Sequence, residues 1–168
     1  MAHRSDYYTR IRKERGLSRE KASELMTTIS PEKLEKIENG KQEPTPADIM
    51  ELAEGYGEPE IRNYYCAHEC PMGQYFVPEV EFRDLEKTVL QMIASLNSMH
   101  AMQERLIAIS ADGRIEDSEI RDFITIRKEL ERISAAAASM QLWVDKMLTT
   151  GAINREEYDR ILREQESK

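Results

Sequence analysis

The sequence predicts an all-α protein, and three observations predict it. Ala, Leu, Met, Glu, Lys and Arg are abundant while β-branched runs are scarce, a balance that favours helices. Helix-start signals recur through the first half. In the second half, apolar residues fall at alternating spacings of four and three, the seam of a helix packed lengthwise on another.

The capping signals place the first helices. Ser18 precedes Arg19-Glu20-Lys21-Ala22 with Leu17 just outside, and Ser30 precedes Pro31-Glu32-Lys33-Leu34 with Ile29 outside. In each, a hydroxyl can accept from the first free amides while the flanking apolar residue packs on the fifth position. Pro31 stands where its missing N–H costs nothing. Thr45-Pro46-Ala47-Asp48 repeats the pattern, and Gly16, Gly40 and Gly55 fall where helices should stop. Helices are expected near 5–15, 18–26, 30–39, 45–55 and 59–67. Residues 68–80, with Pro71, Gly73 and Pro78, have no helical period and read as a linker or a packed irregular segment.

From Leu85 a seam runs through Val89, Met92, Leu96 and Met99 to Leu106. A second runs Phe123, Ile126, Leu130, Ile133, Ala137, Met140, Val144, Met147. Gly113-Arg114-Ile115 with Glu119, and Gly151-Ala152-Ile153-Asn154 with Glu157, share one grammar of helix stop and restart. The reading is an antiparallel hairpin over about 83–111 and 117–149, then a short helix near 155–166. Leu90, Ile93 and Ile107 fall off the first seam, and Leu142 and Trp143 off the second. Apolar surface should therefore remain after the hairpin closes, for a second copy to cover. The competing cover is the last helix with the aromatics Tyr75, Phe76 and Phe82.

Composition bounds the function. A chain of 168 residues that is 40% hydrophobic can build a core, which excludes wholesale disorder. No apolar stretch approaches the roughly 20 residues a bilayer crossing needs. The charged start, Met1-Ala2-His3-Arg4, does not read as a signal peptide, so the chain is expected in the cytoplasm with its two cysteines as thiols. The net charge is −8, but residues 1–45 hold 10 Lys/Arg against 8 Asp/Glu and are the only positive stretch. An acidic protein can still bind DNA if its basic groups share one face.

Leu17-Ser18-Arg19-Glu20, Ile29-Ser30, Leu34-Glu35-Lys36-Ile37-Glu38-Asn39-Gly40 and Pro44, with Ile49, Leu52 and Ala53, resemble the Cro-like (XRE) helix-turn-helix family of bacterial and phage regulators. The resemblance covers residues 5 to about 56 and implies a phage-repressor-type fold. A small core of Leu17, Ala22, Met26, Ile29, Leu34, Ile37 and Leu52 would hold two helices so that residues 31–38 enter a major groove. By that resemblance Ser18 and Arg19 lie near phosphate. Glu32, Lys33 and Lys36 face bases or backbone, and Asn39 and Lys41 meet flanking phosphates. Glu35 and Glu38 add charge that phosphates repel.

Other constellations carry less. Cys66-Ala67-His68-Glu69-Cys70 supplies two or three soft ligands where zinc needs four, so no metal or other cofactor is expected. Asp112-Gly113-Arg114-Ile115 with Glu119 echoes half a calcium loop, but Ala108 and Ser110 stand at the earlier ligand positions. There is no Gly-rich phosphate loop, no serine elbow and only 3 histidines, so no enzyme is expected.

The full expectation is an all-α chain with three parts. Residues 1–67 form a helix-turn-helix DNA-binding domain, 68–82 a linker or packed irregular segment, and 83–168 a long antiparallel hairpin plus short C-terminal helix that dimerises. The function expected is a homodimeric, DNA-binding transcriptional regulator on a pseudo-palindromic site in double-stranded DNA. The alternative is an adaptor that binds proteins through the same fold. The two part on whether Arg12, Arg19, Lys33, Lys36 and Lys41 line one face.

Overall fold

The computed structural model describes residues 4–111 and 116–167, with side chains from Tyr7 onward. Among these residues every regular element is a helix. The N-terminal unit comprises α1 (Arg4–Glu14), α2 (Arg19–Ser23), α3 (Pro31–Glu38), α4 (Pro46–Tyr56) and α5 (Glu60–His68). Three hydroxyls cap as the sequence predicts: Ser18 accepts from the Lys21 amide, Ser30 from Lys33 and Thr45 from Asp48. Thr45 and Asp48 bond reciprocally, satisfying two orphan donors at once.

The helices close over Tyr8, Ile11, Ala22, Ile29, Leu34, Ile37, Ile49, Leu52, Ala53, Tyr56 and Ile61. Leu17 and Met26 pack at its edge. Each large apolar side chain so buried contributes about 1.5–3 kcal/mol. Tyr7 stacks on Tyr64 with centroids 3.6 Å apart, tying α1 to α5.

Two boundaries differ from expectation, and both lie where the chain after α2 meets α4. Gly55 lies inside α4; the helix stops at Gly57, whose φ of 62° is the left-handed cap. A Cβ on Gly55 would stand 3.1 Å from the Leu25 carbonyl oxygen, so this glycine lets the chain after α2 approach α4 closely. There α2 ends at Ser23 rather than continuing to Met26. The Leu25 and Met26 amides reach back only three residues, to Ala22 and Ser23. The next amides, Thr27 and Thr28, donate to the Glu51 carboxylate of α4. A helix that loses its amides to a side chain outside it cannot propagate.

Residues 68–80 are packed rather than loose. They include a short helix, α6 (Gly73–Phe76), seated on α5. A Cβ on Gly73 would fall inside the Cys66 carbonyl, so only glycine permits that approach. Asn63 then holds the strap, donating to the Pro78 carbonyl at 2.9 Å and accepting from the Val80 amide at 3.0 Å.

The C-terminal part is α7 (Leu85–Ser110), α8 (Ile120–Thr149) and α9 (Arg155–Glu166). α7 and α8 run antiparallel: Arg105 meets Asp122 at 2.6 Å near the tip, while Gln91 sits beside Ala135 and Ser139. The turn residues Asp112–Ile115, with the calcium-loop echo, lie outside the described residues. α8 starts at Ile120, without a side-chain cap, whereas α9 has the expected cap, Asn154 accepting from Glu157 at 3.0 Å.

The seam is rotated from the predicted one. The hairpin buries Thr88, Ser95 and Ile109 of α7 against Ile126, Glu129 and Ala136 of α8. Small side chains let the helices approach, and the larger seam residues Leu96 and Leu130 are left 48% and 52% exposed. Leu90, Ile93 and Ile107 are exposed as expected, but Leu142 is buried and Trp143 half-buried. α9 buries none of its residues and Tyr75 and Phe76 stand in solvent, so of the expected intramolecular cover only Phe82, set against Lys146 of α8, is in place. Among the described residues no helix is long and apolar enough to cross a membrane.

Candidate nucleic-acid interface

The expected recognition helix is α3. The Ser30 cap and Pro31 fix its start; Gly40, at φ 66°, ends it and folds the Lys41 amide onto the Lys36 carbonyl at 2.8 Å. Lys36 and Lys41 therefore leave the chain at the same end of the helix. Leu34 and Ile37 face the core, which turns Glu32, Glu35, Lys36 and Asn39 outward as one exposed row. The hairpin meets this unit at the α4–α5 corner, where Lys146 reaches the Gly57 carbonyl at 3.3 Å, and does not cover that row.

The predicted site residues divide into three groups. Ser18 caps α2 and is exposed. Lys36, Asn39 and Lys41 are exposed, Asn39 as the C-cap of α3, and Glu32 is exposed with its carboxylate on the Ser30 hydroxyl at 2.8 Å. That hydroxyl keeps the Glu32 carboxyl below the ordinary range. Arg19 and Lys33, by contrast, are engaged inside the domain. Arg19 pairs with Glu38 at 2.8 Å, and Lys33 with the Asp48 carboxylate of α4 at 2.5 Å. Burial works to raise the Asp48 carboxyl, but Lys33 and the Thr45 donors bring it below its ordinary value.

Glu38 is not the phosphate-repelling surface charge that the sequence suggests. Its side chain is fully buried and takes both arms of Arg12, at 2.5 and 2.9 Å, as well as Arg19. Arg12 also donates to the Leu17 carbonyl at 2.7 Å, so it is spent inside the domain. The five cations Arg12, Arg19, Lys33, Lys36 and Lys41 thus do not form one continuous face: Lys36 and Lys41 alone among the five are free of an internal carboxylate pairing in the domain core. Around them the exposed side chains of α2, its C-cap and α3 include Glu20, Glu24, Glu32 and Glu35.

One element escaped sequence reasoning. Glu51 accepts from two successive turn amides and from the Thr28 hydroxyl at 2.6 Å. Those donors outweigh partial burial and hold its carboxyl below the usual range. It fixes the turn between the two helices, and nothing in its spacing from residues 27–28 announces that.

Cys66 and Cys70 are free thiols. Burial and the neighbouring Cys70 push the Cys66 thiol up, Cys70 accepts from the Gly73 amide, and His68 is turned to Glu79 at 2.9 Å. Among the described residues no group of three or more His, Cys, Asp or Glu is placed to hold a metal ion.

Comparison with family models matches residues 10–61 to the family described as Helix-turn-helix. No curated protein matches the chain, and no solved structure does. The matched span begins within α1 and ends at the start of α5, and it holds every residue of the buried core except Tyr8. The N-terminal third of this chain is a helix-turn-helix unit of the Cro/XRE kind, the fold of a family of DNA-binding regulators.

Proposed function

We propose that this protein is a cytoplasmic, non-enzymatic transcriptional regulator that binds double-stranded DNA as a homodimer, docking two copies of α3 on a pseudo-palindromic site. The observation that carries the reading is the open outer row of α3, capped at both ends and clear of the hairpin. Lys36 is the base-reading cation of that row, and Lys41, with Ser18, lies toward the flanking phosphates. Glu32 can accept from a cytosine amino group. Arg19 and Lys33 support α3 rather than contact DNA, because each already satisfies a buried or nearly buried carboxylate.

A second reading has two observations in its favour, the first being that Arg12, Arg19, Lys33, Lys36 and Lys41 do not line one face. Glu20, Glu24, Glu32 and Glu35 surround the exposed lysines, a surface suited to a cationic protein partner. The two readings separate in a titration of the full chain with sheared genomic DNA. The regulator binds at 50 mM salt, with log affinity falling by about 0.9 per phosphate contact for each tenfold rise in salt. Absence of any binding in low salt leaves the adaptor reading standing.

A further inference from the structure

The hairpin leaves one broad face uncovered, and its composition differs from the other side. On α7, exposed or half-exposed apolar residues recur at Val89, Ile93, Leu96 and Ile107; on α8, at Phe123 and Leu130. At about 100° per residue, the α7 stripe lies about a third of a turn to one side of its buried line. The α8 stripe lies about a quarter-turn to the same side of its own. Because the helices run in opposite directions, equal senses bring both stripes to the same face of the hairpin. The opposite edge of α8 carries Arg121, Lys128 and Arg132, all exposed.

The uncovered face is large enough to specify a partner. α7 has 26 residues, which at 1.5 Å each gives a face about 39 Å long. Two helices spaced 8–10 Å apart make it about 20 Å wide, so it offers close to 800 Å². That is what each partner of a standard stable interface contributes. Five of the six apolar side chains named on it are between 40% and 59% exposed. Neither α9 nor the aromatics of 75–76 cover it.

We propose that this face, Val89, Ile93, Leu96 and Ile107 of α7 with Phe123 and Leu130 of α8, receives a second copy of the chain about a two-fold axis parallel to the helices, forming a four-helix bundle. This rests on the homodimeric reading above and specifies its surface and orientation. In that geometry each α7 lies antiparallel over the α8 of the second copy. Glu104 of α7 then stands within about one helical turn of the level of Arg127 on the α8 of the second copy, where Arg127 also holds Glu131 at 3.1 Å. A two-fold perpendicular to the helices would set α7 over α7 and oppose Glu86 to Glu104. The parallel axis also brings both helix-turn-helix units to one end of the bundle, as a palindromic site requires.

Sedimentation equilibrium on the full chain tests this. The native protein weighs as a dimer at micromolar concentration; Leu96→Glu and Leu130→Glu each weigh as monomers with unchanged far-ultraviolet dichroism; Lys128→Glu, on the opposite edge, stays a dimer. Small-angle scattering of the dimer fits a particle with both N-terminal units at one end. A native dimer unaffected by Leu96→Glu and Leu130→Glu overturns the assigned face while leaving the regulator reading intact. A dimer with its N-terminal units at opposite ends overturns the orientation. A native monomer overturns both this proposal and the dimeric part of the function, and leaves DNA binding to be judged by its own titration.

Discussion

Glu38 and Lys36 lie two positions apart on α3 and do opposite work. Glu38 points inward, where two arginines from α1 and α2 converge on one buried carboxylate. Removing one partner of a buried ion pair strands the other and costs about 3–5 kcal/mol, so Glu38→Ala should unfold the domain at markedly lower urea. Lys36 points outward and is exposed. Lys36→Ala should leave the urea midpoint unchanged and weaken specific DNA binding by about 1–3 kcal/mol, measured by anisotropy on a selected fragment. The inward role of Glu38 was not legible in the sequence. Its place on a helix of alternating Glu and Lys reads as solvated, and only the angle between α1 and α3 brings Arg12 beneath it. The caps were legible, because Ser18, Ser30, Thr45 and Asn154 act within three residues of themselves and need no tertiary information.

The turn between α2 and α3 is held from a distance by Glu51, whose carboxylate collects three donors. Glu51→Gln keeps the shape, loses the charge on those bonds, and should cost about 1–2 kcal/mol. Hydrogen exchange at Thr27 and Thr28 should accelerate in that variant; protection equal to the native chain would show the turn standing without Glu51. The same logic explains why the hairpin's existence was readable but its seam was not. Alternating four and three spacing fixes that α7 and α8 are long and pack lengthwise. Which line faces inward depends on how closely the axes approach. Thr88, Ser95 and Ala136 allow a tight approach that larger Leu96 and Leu130 do not. Gly55 misled for a related reason, since its freedom serves the neighbouring chain at Leu25 rather than a helix stop.

At the scale of the molecule, the two halves meet at a charged joint. Glu58 receives Arg15 at 2.5 Å and Lys146 of α8, Arg62 reaches Asp145 at 2.7 Å, and the Lys146 ammonium stands 5.9 Å from the centre of the Phe82 ring. Burial tends to raise the Glu58 carboxyl, but hydrogen bonds from Glu60, Lys146 and Arg15 bring it well below the ordinary range, while burial and Glu58 push Glu60 up. A carboxyl depressed in the folded state stabilises above its unfolded pKa, about 4.3 for Glu, and that stability disappears as pH falls through the folded value. The native chain should therefore melt higher than Glu58→Gln at neutral pH, and the gap should narrow below about pH 4 and close as pH falls to about 2. A gap independent of pH would mean that Glu58 acts by packing alone. The joint places the N-terminal units at the open end of the hairpin, where a dimer can present both copies of α3 to one DNA face. Selection of bound fragments from the source genome, at 100 mM salt with the full-length protein, tests that outcome most directly. The account predicts enriched fragments sharing a pseudo-palindrome whose half-sites lie about 34–36 Å apart, one helical turn. Recovery of fragments with no enrichment over bulk DNA would contradict it.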